Sequence, residues 1–372
     1  MNAPIRFFGS MASGGKPASV SVHPDVEQLL ARNAVVAVGV SGGKDSQACA
    51  LAVASHLDAI GHTGPRILVH ADLGRVEWKD SLPTCQRLAD HLGWELLVVQ
   101  RKAGDMLSRW QGRWKNNVAR YVDLECVKLI LPWSTPSMRF CTSELKVAVI
   151  ESALKKRFAG QDVINVTGVR REESANRAKA PVAKSNPDVV KEGGTGFTWN
   201  AIIDLSIGQV FSTIEASGLA LHEGYTVHNM SRISCVFCIM SNLDDMQNSA
   251  ACEDNVPVYL DMVEIEAVST FAFQGSRWLA DVAPHLVGEE LGARVAHAKE
   301  MARVRVAAES RLPKHLLYTK GWPTAVPTMA EAELLADVRR IVSESVGLRV
   351  NYLDPADIIS RYQQLLSLKA AA

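Results

Sequence analysis

One point in the chain constrains the fold most: the apolar run 34–40 leads directly into Ser41-Gly42-Gly43-Lys44-Asp45-Ser46, and a helix-forming stretch follows. This order predicts a strand, a tight turn and a helix start. Glycines let backbone N–H groups close on phosphate oxygens, and the helix N-terminus adds partial positive charge. Lys44 adds a mobile cation, while Ser41 and Ser46 add hydroxyls. The stretch therefore predicts an anion-binding loop, although its spacing is neither that of a Walker A motif nor G-x-G-x-x-G.

A second copy of the local tetrapeptide, Ser13-Gly14-Gly15-Lys16, lies near the N-terminus. No apolar strand precedes this copy, and Pro17 stands where a helix would have to begin. We interpret it as part of a flexible tail. The strand and helix around residues 41–46, rather than the tetrapeptide alone, thus indicate the binding loop.

Size and charge exclude several classes of protein. The chain has 372 residues, enough for one large or two moderate domains. Its 40 Lys and Arg balance 40 Asp and Glu, so no global charge draws it to nucleic acid or to a membrane. No apolar run approaches the length of a membrane span, and the N-terminus lacks a secretory apolar core. We expect a cytoplasmic protein whose seven cysteines are thiols or metal ligands rather than disulfides.

Short apolar runs alternate with helical patterns in the first two thirds of the chain, which indicates an α/β fold with a parallel sheet flanked by helices. The predicted strands are Ala34–Val40, Arg66–Ala71, Glu95–Gln100, Asp162–Thr167 and Thr198–Ile203. The predicted helices between them are Asp45–Ala59, Trp78–Leu92 and Ser143–Phe158. The expected layout is a flexible tail (1–22), a nucleotide-binding domain (23–255) and a mainly helical C-terminal subdomain (256–372).

Ligands of such sheets bind beyond the carboxyl ends of the strands. The glycine loop, Asp72 and the segment Gly168-Val169-Arg170 each follow a predicted strand. Polar residues from three strands are therefore expected to face one crevice.

Two segments interrupt the pattern. Residues 103–136 interleave tryptophans with arginines and lysines, so they are either a base-stacking surface or an insertion helix that packs its tryptophans onto the body. Residues 179–196 are rich in Gly, Lys and Pro, which predicts a mobile loop over the site.

Four cysteines form a candidate metal site. Cys235 and Cys238 are a C-x-x-C pair, Cys252 lies 14 residues later, and Cys141 lies far upstream. Such thiolates suit an iron–sulfur cluster or tetrahedral zinc, although C-x-x-C is also found as a redox pair or as two buried small residues. The polar segment before Cys252 is expected to face solvent. The remaining cysteines fall in apolar or helical patterns and are expected in the core, namely Cys49, Cys85 and Cys126.

These motifs, in this order, resemble the phosphoadenosine phosphosulfate reductase-like branch of the PP-loop adenine nucleotide alpha-hydrolase superfamily, whose signature is S-G-G-x-D-S. The matching positions are Ser41–Ser46, His70–Gly74 with Glu77, Arg139-x-Cys141-Thr142-x-x-Leu145-Lys146, Gly168–Ser174 with Arg177, Asp204–Ser206, Tyr225 and Arg232–Cys238. The resemblance implies a parallel five-stranded sheet and a crevice for an adenine nucleotide. In that superfamily, ATP is cleaved between its alpha and beta phosphates and a substrate is adenylated.

The chain also departs from the assimilatory reductases of that branch. No cysteine follows Cys252, whereas those reductases use a cysteine near the C-terminus as the nucleophile. Phe140 stands where adenylylsulfate reductases carry the first of two adjacent cysteines. With Lys44 and Asp45 retained, the chain is more similar to sulfurtransferase-type relatives, such as the iron–sulfur subunit of bacterial DNA phosphorothioation systems. Those relatives are thought to activate a substrate with ATP before sulfur transfer.

The resemblance implies a role for each candidate residue. ATP and Mg²⁺ would be held by Ser41, Gly42, Gly43, Lys44, Asp45, Ser46, Asp72, Gly168 and Arg170. Among these, Lys44, Asp45 and Arg170 are the expected catalytic residues: Lys44 would stabilise the departing pyrophosphate, and Asp45, with Asp72, would hold magnesium.

The candidate cluster or zinc ligands are Cys141, Cys235, Cys238 and Cys252, and the expected partners are a sulfur donor protein and a nucleic acid. Two alternatives stay open. One is a sulfonucleotide reductase that uses a partner's thiol, and the other is a non-catalytic nucleotide sensor in a nucleic-acid system.

Overall fold

The computed structural model describes residues 18–371, in which a mostly parallel sheet is flanked by helices. The strands are β1 Val35–Val40, β2 Arg66–Asp72, β3 Glu95–Gln100, β4 Val163–Val166, β5 Ala183–Ser185 and β6 Gly196–Trp199. The helices are α1 Pro24–Ala31, α2 Lys44–Ala59, α3 Ser81–Leu92, α4 Met106–Val122, α5 Phe140–Thr142, α6 Ala148–Arg157, α7 Ala175–Ala178, α8 Ile207–Ser217, α9 Glu223–Thr226, α10 Leu243–Ala250, α11 Val256–Ser269, α12 Glu289–Ser310, α13 Met329–Val346 and α14 Pro355–Ala370.

The sheet confirms the predicted α/β class. Its strand order is β3-β2-β1-β4-β6-β5, and the strands that correspond to the five predicted ones all pair in parallel. The bounds predicted for the fifth are wrong, because β6 ends at Trp199 and residues 201–203 form a turn. The sixth strand, β5, pairs antiparallel with β6 at the sheet edge. It lies within residues 179–196, so the prediction of a loop is wrong there. With only three residues, β5 is too short to show a period-two pattern in the sequence.

The two faces of the sheet bury alternate residues of β1. Val36 and Val38 pack into a cluster with α2, and Val35 and Ala37 pack into a second cluster with Leu154 of α6. A parallel sheet that is covered on both faces produces the continuous apolar run seen at 34–40. The core therefore fixes β1, and with it the position of the loop that follows.

Residues 18–22 correct the predicted tail. Val20 and Val22 pack against the sheet core, and the indole of Trp199 donates a hydrogen bond to the Ser21 carbonyl at 2.7 Å. The prediction of a flexible segment is therefore wrong for these residues, because small apolar side chains between serines fill the core beside α8. The second S-G-G-K copy and the rest of the tail lie outside the described residues.

The tryptophans of the 103–136 insertion pack onto the body of the protein. Trp110 and Trp133 are both buried, and each packs edge-on against Phe273 from the C-terminal region. Trp114 is partly buried and packs edge-on against Phe271. This confirms the interpretation of an insertion helix that packs its tryptophans onto the body.

The helical C-terminal region shares its cores with the rest of the chain. Helix α11 joins the cluster that holds Trp110, and helices α12–α14 enclose Tyr121 of α4. A boundary at residue 255 therefore does not separate two cores. Arg339 of α13 is fully buried and donates hydrogen bonds to the carbonyls of Tyr121, Val122, Asn351 and Tyr352.

Arg339→Ala is expected to destabilise this region strongly, because it removes a fully buried side chain that donates to four carbonyls, one of them, on Tyr121, in a buried hydrogen bond. A loss on the order of 3 kcal/mol in the free energy of unfolding is expected. Urea unfolding checks the value. The neighbouring Arg340, whose side chain is 52 % exposed, is the matched control, and Arg340→Ala should change stability by less than about 0.5 kcal/mol. Equal losses in the two variants would contradict the role given to Arg339.

Candidate nucleotide-binding site

The loop between β1 and α2 is folded back on itself by its own polar groups. Gly42 has φ +75°, the left-handed region that favours glycine, and Gly43 caps α2. The Ser46 hydroxyl donates to the Gly43 carbonyl at 2.8 Å and accepts from the Ser41 amide at 3.2 Å. The serines predicted to bind phosphate thus also shape the loop.

Close packing explains both glycine requirements of the site. A Cβ on Gly42 would lie 3.0 Å from the backbone of Ser81, the first residue of α3. A Cβ on Gly168, after β4, would lie 2.8 Å from the Asp45 carbonyl. The missing side chain at Gly42 thus lets the loop approach α3, and the missing side chain at Gly168 lets the turn after β4 approach the start of α2.

The three predicted catalytic residues meet at this edge of the sheet. Arg170 Nε donates to Asp45 Oδ1 at 2.6 Å, and Lys44 Nζ lies 3.4 Å from Asp45 Oδ2. Lys44 is 7 % exposed and Arg170 is 4 % exposed. Buried cations need a partner, and the Asp45 carboxylate lies beside both of them.

Arg170 is fixed from several sides. Its second nitrogen donates to Glu172 at 2.8 Å and to the Leu205 carbonyl at 3.3 Å, while its backbone amide donates to Glu173. Burial lowers the pKa of Arg170, but the Asp45 hydrogen bond and charge outweigh it and raise that pKa. Arg170 is therefore a permanently charged and oriented group.

Asp72 lies at the end of β2, on the same edge as the loop. Its Oδ1 accepts from the Gly74 amide at 2.7 Å, which holds the turn into the short 3₁₀ segment Gly74–Val76. The structure thus places Asp72 one strand away from the Asp45 cluster, partly exposed and with a local structural role.

His222 was not predicted, although it braces the loop. It is fully buried, its Nδ1 accepts from the Gly224 amide at 2.9 Å, and its Nε2 lies 3.3 Å from the Ser81 hydroxyl. The Cδ2 of the same ring would lie 3.1 Å from a Cβ on Gly42. Burial lowers the pKa of His222 to about 4, so the ring is neutral. No local pattern identifies it, because its partners are distant in sequence.

His70 and Glu77, both in matching motifs, form a second buried contact beneath the loop. His70 Nδ1 lies 3.1 Å from the Val40 carbonyl and its Nε2 lies 3.0 Å from Glu77. Burial alone would lower the pKa of His70, but hydrogen bonds to Cys85 and Glu77 raise it to about 10. Both ring nitrogens then donate, and the imidazolium ties the end of β1 to the turn after β2.

The candidate metal ligands are only partly gathered. Burial raises the pKa of the Cys235 thiol. The positive charge of Lys146 lowers that pKa, while the negative charges of Cys238, Glu77 and Cys141 raise it further. Those three cysteines therefore share one neighbourhood, and each is partly exposed.

Cys252 differs from the other three. It is 7 % exposed and packs in the core cluster that contains α11. The segment before it faces solvent only in part. Asp244 is exposed as predicted, whereas Asp245 is buried and accepts from both the Ser231 amide and hydroxyl at 2.7 Å.

In residues 18–371, no three His, Cys, Asp or Glu side chains are placed to hold a metal ion together. The thiols are suitable donors for a cluster or zinc, but their positions do not form such a site. The four-cysteine centre therefore stays a prediction.

Within the same residues, no helix is long and apolar enough to cross a membrane.

A model of the phosphoadenosine phosphosulfate reductase domain matches residues 35–241, more than half of the chain. The chain belongs to this family. The match spans every strand of the sheet, the glycine loop, Arg170 and the C-x-x-C pair. It confirms the suspected branch and places the chain in a family of enzymes with sulfur-related PP-loop chemistry. Residues 242–371, which include most of the helical C-terminal region, lie outside the family match.

Two solved structures resemble this family member at 14 % identity. One is the phosphoadenylyl-sulfate reductase from Candida auris in a phosphate complex, with a TM-score of 0.34, covering 59 % of this chain and 98 % of that one. The other is the U34-tRNA thiolase NcsA from Methanococcus maripaludis with its [4Fe-4S] cluster, with a TM-score of 0.28, covering 75 % and 77 %. No curated protein matches the chain. Likenesses this weak identify no substrate.

Acidification is expected to destabilise the protein through His222. Between pH 6.5 and 4 the unfolded chain binds a proton at this position and the folded chain does not, so the free energy of unfolding falls as pH falls. From pH 7 to 5 this group contributes a loss of about 2 kcal/mol. Urea unfolding of the wild type and of His222→Gln at both pH values measures the difference.

The exposed His285 gives the control for that comparison. His285→Gln should leave the wild-type pH dependence in place. If His222→Gln loses as much stability on acidification as the wild type, His222 is not the neutral brace described here.

Proposed function

We propose that this protein is an ATP-binding PP-loop enzyme that cleaves ATP between the alpha and beta phosphates and adenylates an acceptor, for sulfur transfer. The arrangement of Lys44, Asp45 and Arg170 around the N-terminus of α2 carries this proposal. Two buried cations beside a helix N-terminus form a receptor suited to a polyphosphate. The family match supports adenine-nucleotide chemistry at the same loop.

The chain's own groups account for the step. An acceptor oxygen attacks the alpha phosphorus, the bond from that phosphorus to the bridging oxygen breaks, and pyrophosphate leaves with the electron pair. Lys44 neutralises the charge that develops on pyrophosphate, and the amides of the Gly42–Ser46 turn hold its oxygens. Arg170 orients the alpha phosphate or the acceptor. A persulfide on a sulfur donor protein then supplies the sulfur: its outer sulfur bonds to the acceptor, and AMP leaves with the acceptor oxygen. A second thiol of the donor attacks the inner sulfur, which releases the thiolated acceptor and leaves a disulfide on the donor.

Magnesium fits the oxygen donors of the site. Asp45 and Asp72 offer carboxylates at the same sheet edge, and Mg²⁺ commonly binds one or two carboxylates together with substrate phosphates. When bound, the ion supplies further neutralisation of phosphate charge. Asp45 already holds Arg170 and Lys44, so a phosphate group that attracts those cations would free its carboxylate for the metal.

A sulfonucleotide reductase that uses a partner's thiol is the second candidate, because the matching family model carries that description. The two functions predict different substrates. Adenylation requires ATP binding and pyrophosphate release, while reduction requires sulfite release from phosphoadenosine phosphosulfate in the presence of thioredoxin. Tight ATP binding without pyrophosphate release, with candidate nucleic acids present, would instead favour the sensor.

Lys44→Ala should weaken ATP binding, because it removes a charge-assisted contact worth roughly 1.5–3 kcal/mol. The dissociation constant, measured by equilibrium dialysis, is expected to rise at least about tenfold. Lys16→Ala alters the same local tetrapeptide in the other copy and should leave ATP binding unchanged. Similar losses in both variants, or none in either, would remove the loop from the proposed function.

Asp45→Asn keeps the side-chain shape but removes the charge that magnesium and Arg170 require. Magnesium-dependent pyrophosphate release should be lost, while much of the metal-free ATP binding should remain. Glu172→Gln is the matched control, since Glu172 also accepts from Arg170, at 2.8 Å, but its side chain is 53 % exposed. Full turnover in Asp45→Asn would exclude Asp45 from the chemistry.

A further inference from the structure

A single hydroxyl joins the glycine loop to the cysteine-bearing segment. Tyr225 Oη accepts a hydrogen bond from the Lys44 amide at 3.2 Å and another from the Ile233 amide at 3.2 Å. Lys44 is the first residue of α2, and Ile233 lies two residues before Cys235. A tyrosine hydroxyl has two acceptor positions, and here both hold backbone amides. The oxygen therefore ties two segments that are far apart in sequence.

The side chain of Ile233 reinforces this connection. A Cβ on Gly43 would lie 3.7 Å from both the Cβ and the carbonyl oxygen of Ile233. A Cβ on Gly224 would meet Ile233 Cδ1 at a much closer distance, so this residue is packed between the loop and α9. The segment that leads to Cys235 thus covers one side of the loop. The Lys44 ammonium lies 5.2 Å from the centre of the Tyr225 ring and adds a third contact.

The Lys44 amide has two competing uses. The first amides of an α-helix have no partner within the helix, and an anion at the N-terminus binds them. In this structure the amide instead donates to a neutral hydroxyl, at the long end of the range for N–H···O bonds. Hydrogen bonds to a charged acceptor are roughly twice as strong as those to a neutral one. A phosphate oxygen in the loop should therefore take the amide from Tyr225.

We propose that Tyr225 is a positioning residue that couples occupancy of the 41–46 loop to the order of the cysteine-bearing segment 231–238. A phosphate that binds the Lys44 amide releases the hydroxyl, and the bond to Ile233 loosens with it. Ile233 then moves away from Gly43, and the C-x-x-C pair becomes more open when nucleotide is bound. This inference rests on the proposed binding of ATP at the loop. It adds that ATP binding disfavours the closed conformation of the cysteine-bearing segment, and that the closed conformation weakens ATP binding.

Hydrogen exchange measured by mass spectrometry on the full chain tests this coupling. Magnesium ATP should speed amide exchange at least about threefold in the peptide that covers 231–238, because the tether to Ile233 is lost. Exchange at the start of α2 should not rise, since phosphate replaces the hydroxyl there. AMP lacks the phosphates that the loop would hold, so it should leave the 231–238 peptide unchanged.

Tyr225→Phe removes the hydroxyl and keeps the ring. Exchange in the 231–238 peptide should already be fast without nucleotide and should no longer respond to ATP. Coupling is reciprocal, so the variant should bind ATP roughly two- to tenfold more tightly than the wild type. Tyr362→Phe is the control: Tyr362 is a buried tyrosine of α14 whose hydroxyl has no partner among the described residues.

The outcomes separate this inference from the function on which it rests. ATP binding in dialysis with unchanged or slower exchange in 231–238 overturns the coupling alone. Weaker ATP binding by Tyr225→Phe also overturns it, since the hydroxyl would then assist the phosphate. Failure of the wild-type protein to bind ATP overturns the proposed function, and the coupling with it. If Tyr225→Phe does not fold, the wild-type exchange experiment still decides.

Discussion

The ion pair between Arg170 and Asp45 is the contact on which the candidate site depends. It joins the turn after β4 to the first turn of α2, at a bond length of 2.6 Å. An uncompensated guanidinium at this depth would be strongly unfavourable, so the position of Arg170 requires a carboxylate nearby. Because Gly168 has no side chain, the turn after β4 can approach the backbone of Asp45 closely enough to form the pair. Asp45 thus has both a structural role and a proposed chemical role.

The residues that meet at the carboxyl ends of the strands could be predicted from the sequence, but the residues that support them from behind could not. Lys44, Asp45 and Arg170 were expected together because parallel strands end at one side, and that rule needs only strand positions. His222 was missed because nothing in its own neighbourhood distinguishes it. It acquires a role only when folding brings it to Ser81, 141 positions earlier. Strand β5 was missed for a different reason, since three mostly exposed residues carry no periodic signal.

For the candidate metal ligands, the spacing along the sequence predicts the relative positions of only two of the four cysteines. C-x-x-C keeps Cys235 and Cys238 close in any fold, but the positions of Cys141 and Cys252 depend on tertiary packing. Cys252 was expected beyond a polar, solvent-facing segment, yet only part of that segment is exposed: Asp244 faces solvent, while the buried Asp245 binds the backbone and hydroxyl of Ser231. From the sequence alone, such a carboxylate is expected at the surface. In the fold, both of its oxygens instead accept local hydrogen bonds inside the protein.

The donors of the loop are already partnered, which changes what ligand binding means here. Lys44 lies beside Asp45 and over Tyr225, Arg170 is held by two carboxylates, and the Lys44 amide is held by a hydroxyl. A polyphosphate entering this site exchanges partners rather than filling an empty cavity. The free energy of binding is then the difference between the contacts made to phosphate and the contacts given up, so affinity should be moderate relative to the number of contacts. Each partner that the ligand releases can transmit the effect of binding to another part of the protein. The Tyr225 hydroxyl is the partner that connects the loop directly to the cysteine-bearing segment.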